Sequence, residues 1–283
     1  MAVMMNIQEE YYVFHQNMRV FGGGTLGRNE AFDGAFIETV SNKMGQDKHI
    51  IVAGFTEITN ATIAKDALQN ASSFLFNDAK YTIGFFACGV TALKQGQAPE
   101  YVVISCRHDF TISFSGRVLL MSDQKWKCWP WDKFPNDRLP EELTADSRGL
   151  AYVGGNFKNQ QMIIGFMHNM YKEGNRSGGF SALPTMMKLI WEAHSGWGNV
   201  PIYLGGDFNV KPRGFSSRAD AQVICAVDAN NNNINTTRTH PYDYWVTSDP
   251  KKTNGDVTVC EETRDVVVGL SDHAGVLLRV LVL

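Results

Sequence analysis

Two segments of the sequence place carboxylate, amide and imidazole groups next to apolar runs. In GGDFNV, Asp207 follows the run PIYLG and Asn209 lies two residues further on. If the chain stays extended there, both side chains point the same way and suit a hard cation and a phosphate oxygen. In LSDHAGVLLRVLVL, Asp272 and His273 adjoin each other before the last apolar run, and such a pair suits metal and phosphate contact together. Each segment alone also fits a turn, because Asp, Asn and Ser are common turn residues.

Four more polar side chains occur at the ends of apolar runs. They are Asn17 in QNMRVFGGG, Glu57 in HIIVAGFTEI, His168 in MIIGFMHNMY and Asp243 in PYDYWVTS. Any one of them taken alone fits a solvated or structural residue. Their order along the chain, Asn, Glu, His, Asp-x-Asn, Asp and Asp-His, gives the set its weight. Because the set is rich in oxygen and no HExxH motif is present, it favours Mg²⁺, Mn²⁺ or Ca²⁺ over zinc.

The apolar runs predict the elements that position these groups. Nine runs are long enough for buried strands and too short for helices. They span residues 11–14, 50–54, 81–86, 101–105, 116–121, 162–167, 201–205, 242–247 and 276–283. Helical periodicity covers residues 29–44 and 183–194, and a third candidate helix at 60–76 opens on a capping Thr or Asn. Many strands follow one another directly, which favours two packed sheets with outer helices over a doubly wound parallel sheet.

The remaining sequence predicts one domain over residues 1–283 with two surface excursions. No internal repeat or Pro/Ser-rich linker divides the chain. The excursions are residues 122–147, which hold three Trp and three Pro, and the Asn-rich residues 228–240. The five cysteines form no CxxC pair, so we interpret them as small buried hydrophobes with at least one free thiol.

Charge and hydropathy restrict the class of function. The formal net charge of -3 argues against a protein that coats DNA through many phosphate contacts. It does not argue against an enzyme that acts on DNA with a local set of Arg and Lys. No signal-peptide pattern and no run of about 18 apolar residues is visible. We therefore expect no membrane span, and a cytoplasmic protein or one exported without a classical signal peptide.

The order and local sequence of these groups resemble the DNase I-like (endonuclease/exonuclease/phosphatase) family, from about residue 11 to the end. GDFN and SDH at their separation are the specific parts. Within the family, QNMRVFGG and FMHNMY are most similar to segments of DNase I. The resemblance implies a four-layered α/β sandwich, in which two packed mixed β-sheets are flanked by helices and the site lies at one edge.

The resemblance also implies roles for the residues that match. Asn17 and Glu57 are expected to bind the metal ion, Mg²⁺ or else Mn²⁺ or Ca²⁺, with Asp272 in or near its shell. Asp207 and Asn209 are expected to orient the attacking water or hold the scissile phosphate.

The imidazoles and arginines have implied roles as well. His273 is expected to hydrogen-bond the phosphate, with Asp243 fixing its tautomer, and His168 is the second imidazole. Arg19 and Arg148 are candidates for holding the DNA backbone. Each arginine also fits an ordinary surface ion pair.

One departure from the family pattern concerns His168. The family places a Glu between the equivalents of Glu57 and Arg107, where it orients the His168 equivalent. Here the stretch YTIGFFACGVTALKQG carries Ala87 and Cys88 at the expected place, and no carboxylate in it is a clear replacement. An imidazole without such a partner lacks a fixed tautomer. We therefore expect His168 to be unsupported.

The sequence predicts a metal-dependent phosphodiesterase that cuts DNA with little sequence specificity, and two alternatives remain. One is a sphingomyelinase- or inositol-phosphate-type phosphodiesterase, for which WKCWPWDKF would be a membrane-facing loop. The same segment also fits base stacking or packing under a long loop. The other alternative is an inactive binding module of the same fold, which the absent Glu favours and the intact Asp243 and His273 oppose.

Overall fold

The computed structural model of the protein describes part of the chain, and the strands and helices below lie in that part. These are residues 9–21, 49–58, 80–90, 99–121, 123–132, 134, 148–170, 173–215, 220–264 and 272–282. The predicted helices at 29–44 and 60–76 lie outside these residues.

One sheet has six strands. Their spatial order is β12 (Val257–Cys260), β13 (Gly275–Val282), β1 (Glu10–Phe21), β2 (His49–Ile58), β4 (Pro99–Arg107) and β3 (Tyr81–Val90). The central pair β1 and β2 is parallel, and the other neighbours are antiparallel. The sheet is therefore mixed, as predicted.

The second sheet has seven strands. Their spatial order is β10 (Gln222–Ile224), β11 (Asp243–Thr247), β9 (Ile202–Asp207), β8 (Gln160–His168), β7 (Leu150–Phe157), β5 (Thr111–Leu120) and β6 (Trp126–Trp131). Here β8 and β9 form the parallel pair and the remaining pairs are antiparallel. Both parallel pairs lie near the middle of their sheets.

The two sheets pack face to face, which confirms the predicted sandwich. Val13 and Phe14 on β1 belong to different core clusters, because neighbouring strand residues face opposite sides of a sheet. Val13 packs in the cluster shared with the second sheet. A Cβ at Gly54 would overlap the Phe166 ring of the opposite sheet, so a residue without a side chain is needed at this close approach.

Two helices lie on the outer face of the seven-stranded sheet, α1 (Glu173–Ser181) and α2 (Leu183–Ala193). The buried positions of α2 are Leu183, Met186, Met187 and Ile190, which is the spacing of one helical face. This confirms the helix predicted at 183–194. Neither of the described helices is long and apolar enough to cross a membrane.

The prediction of a surface excursion at 122–147 is wrong for its first part. Trp126–Trp131 forms β6, which pairs antiparallel with β5 at the sheet edge. Trp126 packs with the outer cluster, whereas Trp131 packs with the cluster between the sheets. Pro130 is tolerated because an edge strand does not need every backbone donor. The three Trp side chains are therefore partly buried by packing and do not project from a loop.

The cysteine interpretation agrees with the structure. All five thiols are free, and Cys88, Cys106, Cys225 and Cys260 are buried while Cys128 is partly exposed.

His194, at the end of α2, is expected to contribute to the free energy of unfolding in a way that depends on pH. The His194 ring stacks on Phe114, with 3.5 Å between ring centroids, and its Nε2 lies 2.9 Å from the Tyr152 hydroxyl. Burial lowers the pKa of His194 to about 4. We expect the stability advantage of the native protein over His194→Gln to be fully present above about pH 6.5, the ordinary His pKa, and to shrink as pH falls towards 4. Urea unfolding of both proteins across this window measures it, and a constant difference would contradict the linkage.

Candidate active site

Three predicted residues come together because of how β8, β9 and β11 pair. The parallel strands β8 and β9 end side by side, so that His168 is the register partner of Asp207. The antiparallel strand β11 begins at the same edge, where Asp243 is the partner of Asp207. Residues far apart in sequence therefore lie next to each other across one sheet edge.

The six-stranded sheet brings its own groups to the same place. Asn17 on β1 is the register partner of Thr56, one residue before Glu57 on β2. The Asn17 amide Nδ2 donates to Asp207 Oδ2 at 2.9 Å, and both side chains are buried. This hydrogen bond joins the two sheets inside the predicted site.

His273 and Asp243 form a buried hydrogen-bonded pair. His273 Nδ1 lies 2.8 Å from Asp243 Oδ2, which also accepts a bond from the Thr236 hydroxyl at 2.8 Å. His273 Nε2 lies 3.8 Å from Asp207 Oδ2. Burial opposes protonation of His273, but Asp243 and Asp207 outweigh it and raise the pKa to about 10. The ring is therefore a cation at neutral pH with a fixed orientation.

Thr236 was missed by the sequence reasoning. It lies near the end of the Asn-rich segment 228–240, which is mostly an exposed loop as predicted, although Thr237 is also buried and Ile234 packs against the core. Thr236 itself is 2% exposed, and its hydroxyl both donates to the Asp243 carboxylate and accepts from the Asp243 backbone N–H. No pattern in a run of Asn and Thr separates this residue from its exposed neighbours.

The expectation that His168 lacks an orienting carboxylate is wrong. His168 Nδ1 lies 2.7 Å from Glu100 Oε1, and its Nε2 lies 3.1 Å from Glu57 Oε1. Burial and Arg148 disfavour the charged ring, but Glu100 and Glu57 outweigh them and raise the pKa of His168. His168 therefore has a carboxylate oxygen close to each of its ring nitrogens.

The topology explains why Glu100 was overlooked. The family pattern points to the stretch around Ala87, which is on β3. Glu100 is the second residue of the neighbouring strand β4, which runs antiparallel to both β2 and β3. In the register, Tyr101 pairs with Ile58 and Glu100 pairs with Gly89, so the beginning of β4 reaches the same edge as the end of β2.

The carboxylates of the site fit a divalent cation. Burial together with Glu100 and Asp207 raises the pKa of Glu57, and burial together with Asp243 raises the pKa of Asp207. A bound cation relieves this repulsion between buried acids. Glu57 is the more accessible of these two carboxylates, with 18% of its side chain exposed, against 3% for Asp207. Its backbone has φ +60°, a strained conformation for Glu that often marks functional positions.

A second grouping of ligand atoms lies beside Glu57. One atom each from Asp207, Asp243 and His273 falls within 4.8 Å of the others. Asp243 Oδ2 already accepts hydrogen bonds from His273 and Thr236. A cation held by this trio would therefore compete with the hydrogen bonds that Asp243 already makes, whereas Glu57 as a ligand stays a prediction.

The extended arrangement predicted for Asp207 and Asn209 is wrong. Asn209 has φ +52°, so the chain turns directly after the strand. Its backbone N–H donates to Asp207 Oδ1 at 2.9 Å, and its amide Nδ2 donates to the Asn169 carbonyl at 2.9 Å. Asn tolerates this left-handed conformation better than most residues. Asn209 thus fixes the Asp207 carboxylate through the backbone.

The structure places Arg148 in the site, shows only the surroundings of Asp272, and does not describe the side chain of Arg19. The guanidinium of Arg148 lies against the His168 ring, donates to the Asn169 carbonyl and has Nη2 3.3 Å from Glu100 Oε2. Only 11% of its side chain is exposed. Asp272 is partly exposed directly before His273, and its role as a ligand stays a prediction. Arg19 is in β1, and its side chain lies outside the described part of the chain.

Replacing Glu57 by Gln tests the cation position. Without metal, we expect the variant to be at least as stable as the native protein, because one of several repelling acids is gone. With saturating Mg²⁺ or Mn²⁺ it should be less stable, since each tenfold loss of affinity removes about 1.4 kcal/mol of metal-induced stabilisation. Thermal unfolding with and without metal measures both signs. The control is Glu192→Gln on α2, in an exposed pair with Lys188, and an equal metal response of both variants would contradict the placement.

Comparison with known proteins places this architecture among solved structures. No family model and no curated protein sequence matches the chain. A mannosyl-6-phosphatase from Bacteroides thetaiotaomicron is similar at TM-score 0.61 and 19% identity, over 96% of this chain and 99% of that one. The human Nocturnin catalytic domain is similar at 0.60 and 16%, over 95% and 92%. Truncated Caenorhabditis elegans TDP2 is similar at 0.57 and 14%, over 97% and 98%.

Each similarity covers nearly the whole length of both chains. Because the sequence identities are low, these similarities show the fold and not the activity. They agree with the two mixed sheets and with the resemblance seen in the sequence. The chain has the DNase I-like fold of the endonuclease/exonuclease/phosphatase proteins.

Proposed function

We propose that this protein is a divalent-metal-dependent phosphodiesterase that hydrolyses DNA. The observation that carries the proposal is the buried His273–Asp243 pair, whose outer nitrogen faces Asp207 at 3.8 Å beside a set of mutually repelling carboxylates. A fixed imidazolium next to a cation position suits the charge that builds up on a phosphoryl group during hydrolysis.

In this proposal Glu57 and Asn17 would hold the metal ion, with Asp272 in or near its shell. Mg²⁺, Mn²⁺ or Ca²⁺ bound there would supply positive charge to the phosphoryl oxygens. The raised pKa of Glu57 supports this assignment, because burial and the nearby Glu100 and Asp207 disfavour its charged form and a cation would favour it.

Asp207 accepts a proton from the attacking water and orients it. Two donors hold its carboxylate, the Asn17 amide on Oδ2 and the Asn209 backbone N–H on Oδ1. The raised pKa of Asp207 makes it a better proton acceptor than an ordinary aspartate. Asn209 contributes by holding the Asp207 carboxylate in this orientation, and its side-chain amide is also a candidate contact for the scissile phosphate.

The two imidazoles bind the phosphoryl oxygens from opposite sides of Asp207. His273 donates its Nε2–H to a phosphoryl oxygen, while Asp243 holds its Nδ1–H. His168 is held through Nδ1 by Glu100 and presents Nε2 towards Glu57 and Asp207. Arg148 keeps the His168 side of the site positive, and its exposed edge contacts the DNA backbone together with Arg19.

Support for DNA as the substrate comes from three directions. One structure of similar fold, TDP2 from D. rerio, is complexed with a single-strand DNA product, at TM-score 0.55 and 13% identity. The segments around Asn17 and His168 resemble DNase I. The sequence support for a lipid substrate is weakened, because the Trp residues of β6 are packed into the sheet edge and do not form a membrane-facing loop.

The proposal of an inactive binding module has also lost its main support. It relied on an unsupported His168, and Glu100 supplies the carboxylate that the stretch around Ala87 lacks.

Plasmid nicking tests the proposal. Supercoiled DNA is incubated with the protein in Mg²⁺ or Mn²⁺, with EDTA and with the variant Asp243→Asn. We expect nicking that both EDTA and the variant abolish. If DNA stays intact while RNA, mannose 6-phosphate, an inositol phosphate or sphingomyelin is hydrolysed, the substrate is wrong and the metal-dependent phosphoesterase remains. If none is hydrolysed, the enzymatic proposal fails.

A further inference from the structure

We infer that His15 is a positioning residue for the reaction proposed above, holding the Asp243 carboxylate through its Oδ1 while His273 is held through Oδ2. This inference rests on the proposed function for its effect on rate, and on the structure alone for the contact itself.

His15 lies behind the His273–Asp243 pair, inside the sandwich. It is on β1, two residues before Asn17, and is fully buried. Its ring stacks on Phe166 with 6.2 Å between centroids and 19° between planes. Its Nε2 lies 3.1 Å from the Thr56 hydroxyl oxygen, and its Nδ1 lies 3.7 Å from Asp243 Oδ1.

Two buried polar atoms in this contact have no hydrogen-bond partner among the residues that the structure describes. They are His15 Nδ1 and Asp243 Oδ1, the two atoms separated by 3.7 Å. A buried polar atom without a partner destabilises the folded protein, because its hydrogen bond to water is lost and not replaced. An approach of less than about 1 Å brings them to an ordinary N–H···O distance and satisfies both at once. Their pairing is the simplest way in which this interior avoids two separate penalties.

The tautomer of His15 follows from its neighbours. His15 is fully buried, and burial favours the neutral ring, which carries one N–H. If the proton were on Nε2, the Nδ1 lone pair would face a carboxylate oxygen. With the proton on Nδ1, the ring donates to Asp243 and Nε2 accepts from the Thr56 hydroxyl. Every donor in the contact then meets an acceptor.

The result is a directed chain of hydrogen bonds behind the reacting groups. Thr56 donates to His15, His15 donates to Asp243, and Asp243 accepts from His273 on its other oxygen. The Thr236 hydroxyl completes the set of donors around Asp243. Loss of the His15 donor leaves Asp243 free to rotate, so that the orientation of His273 is less well defined in the transition state.

Histidine NMR tests the contact without reference to activity. The native protein and the variant His15→Asn are both labelled with ¹⁵N in histidine. The signals that are missing from the spectrum of the variant belong to His15. We expect a neutral ring with its proton on Nδ1, protected from solvent exchange. A ring protonated on Nε2 would overturn the inference whether or not the protein cuts DNA.

Two substitutions of His15 test the role in the reaction. In His15→Asn the amide nitrogen takes the place of Nδ1 and keeps the donor towards Asp243. In His15→Gln the amide group takes the place of Nε2 and the donor is lost. We expect kcat for DNA hydrolysis to fall about 10–100-fold in the Gln variant, with KM unchanged, and the Asn variant to recover most of this loss.

Equal losses in both variants, or an undiminished kcat in the Gln variant, would overturn the positioning role. Thermal unfolding of both variants checks that they are folded to the same extent. An inactive native protein would defeat the proposed function and with it the positioning role, whereas the NMR result would still decide whether His15 holds Asp243.

Discussion

Replacement of His273 by Ala is expected to lower kcat for DNA hydrolysis by about 10²–10⁴-fold, with a smaller change in KM. The physical reason is that the raised pKa of about 10 makes His273 a cation at neutral pH. A fixed cation interacts more strongly with the transition state, where charge accumulates on the phosphoryl oxygens, than with the substrate. Initial rates of plasmid nicking at several DNA concentrations measure both constants.

The matched control is His108→Ala. His108 is an exposed histidine in the turn after β4. Glu100 is at the beginning of β4 and reaches the site, so His108 is at the opposite end of the same strand. We expect native kcat in this control. A native rate in His273→Ala, or an equal loss in both variants, would remove His273 from the mechanism.

Asp243→Asn should act through the same group. Asp243 orients His273 and keeps its ring protonated. A protein that carries both Asp243→Asn and His273→Ala should therefore lose little more activity than His273→Ala alone. Additive losses would mean that Asp243 acts independently of His273, for instance as a metal ligand in the grouping with Asp207.

Replacement of Glu100 by Ala is expected to destabilise the protein by about 3–5 kcal/mol. Glu100 has 6% of its side chain exposed and is paired with both His168 and Arg148. Burial alone would raise the pKa of Glu100, but His168 and Arg148 outweigh it and lower the pKa, so the carboxylate is ionised in the folded protein. Its removal leaves the nearly buried Arg148 with one negative partner fewer. Urea unfolding at neutral pH measures the loss.

A second acidic residue gives the comparison for Glu100. Glu9 pairs with Lys158 at 3.2 Å, but both side chains are exposed. Exposed ion pairs contribute little to stability because water screens them, so Glu9→Ala should barely change the free energy of unfolding. Glu100→Ala should also lower kcat, because His168 loses its orienting partner, whereas Glu9→Ala should not. A Glu100→Ala protein as stable as Glu9→Ala would mean that Glu100 is not tied to Arg148 and His168.

Much of the fold could be predicted from local pattern. Short apolar runs predicted nine strands, and the face of α2 was visible in its periodicity. The weaker runs were missed, because β7 contains glycines and β6 is an edge strand made of Trp, Lys and Pro. Such strands are stabilised by pairing with a neighbour, which leaves little trace in their own sequence.

For the candidate site, too, some features are visible in the local sequence and others depend on the tertiary structure. The order of Asn17, Glu57, His168, Asp207, Asp243 and His273 could be recognised in the chain, because each polar group follows or precedes an apolar run. Their contacts depend on two parallel pairs and on antiparallel neighbours, which bring strand ends and strand beginnings to one edge. Strand ends are visible as local features, whereas the partners across a ladder are not.

Sequence alone therefore determined which groups are candidates for the chemistry, and tertiary structure decided which groups contact and orient them. Glu100 is at the beginning of a strand, Thr236 is in an Asn-rich loop, and His15 is inside an apolar strand. None of these positions differs locally from a structural one. Glu100 and His15 acquire their roles only when strand register places them beside His168 and Asp243, and Thr236 only when its loop folds back onto Asp243; these contacts depend on the tertiary arrangement of segments and not on the local sequence.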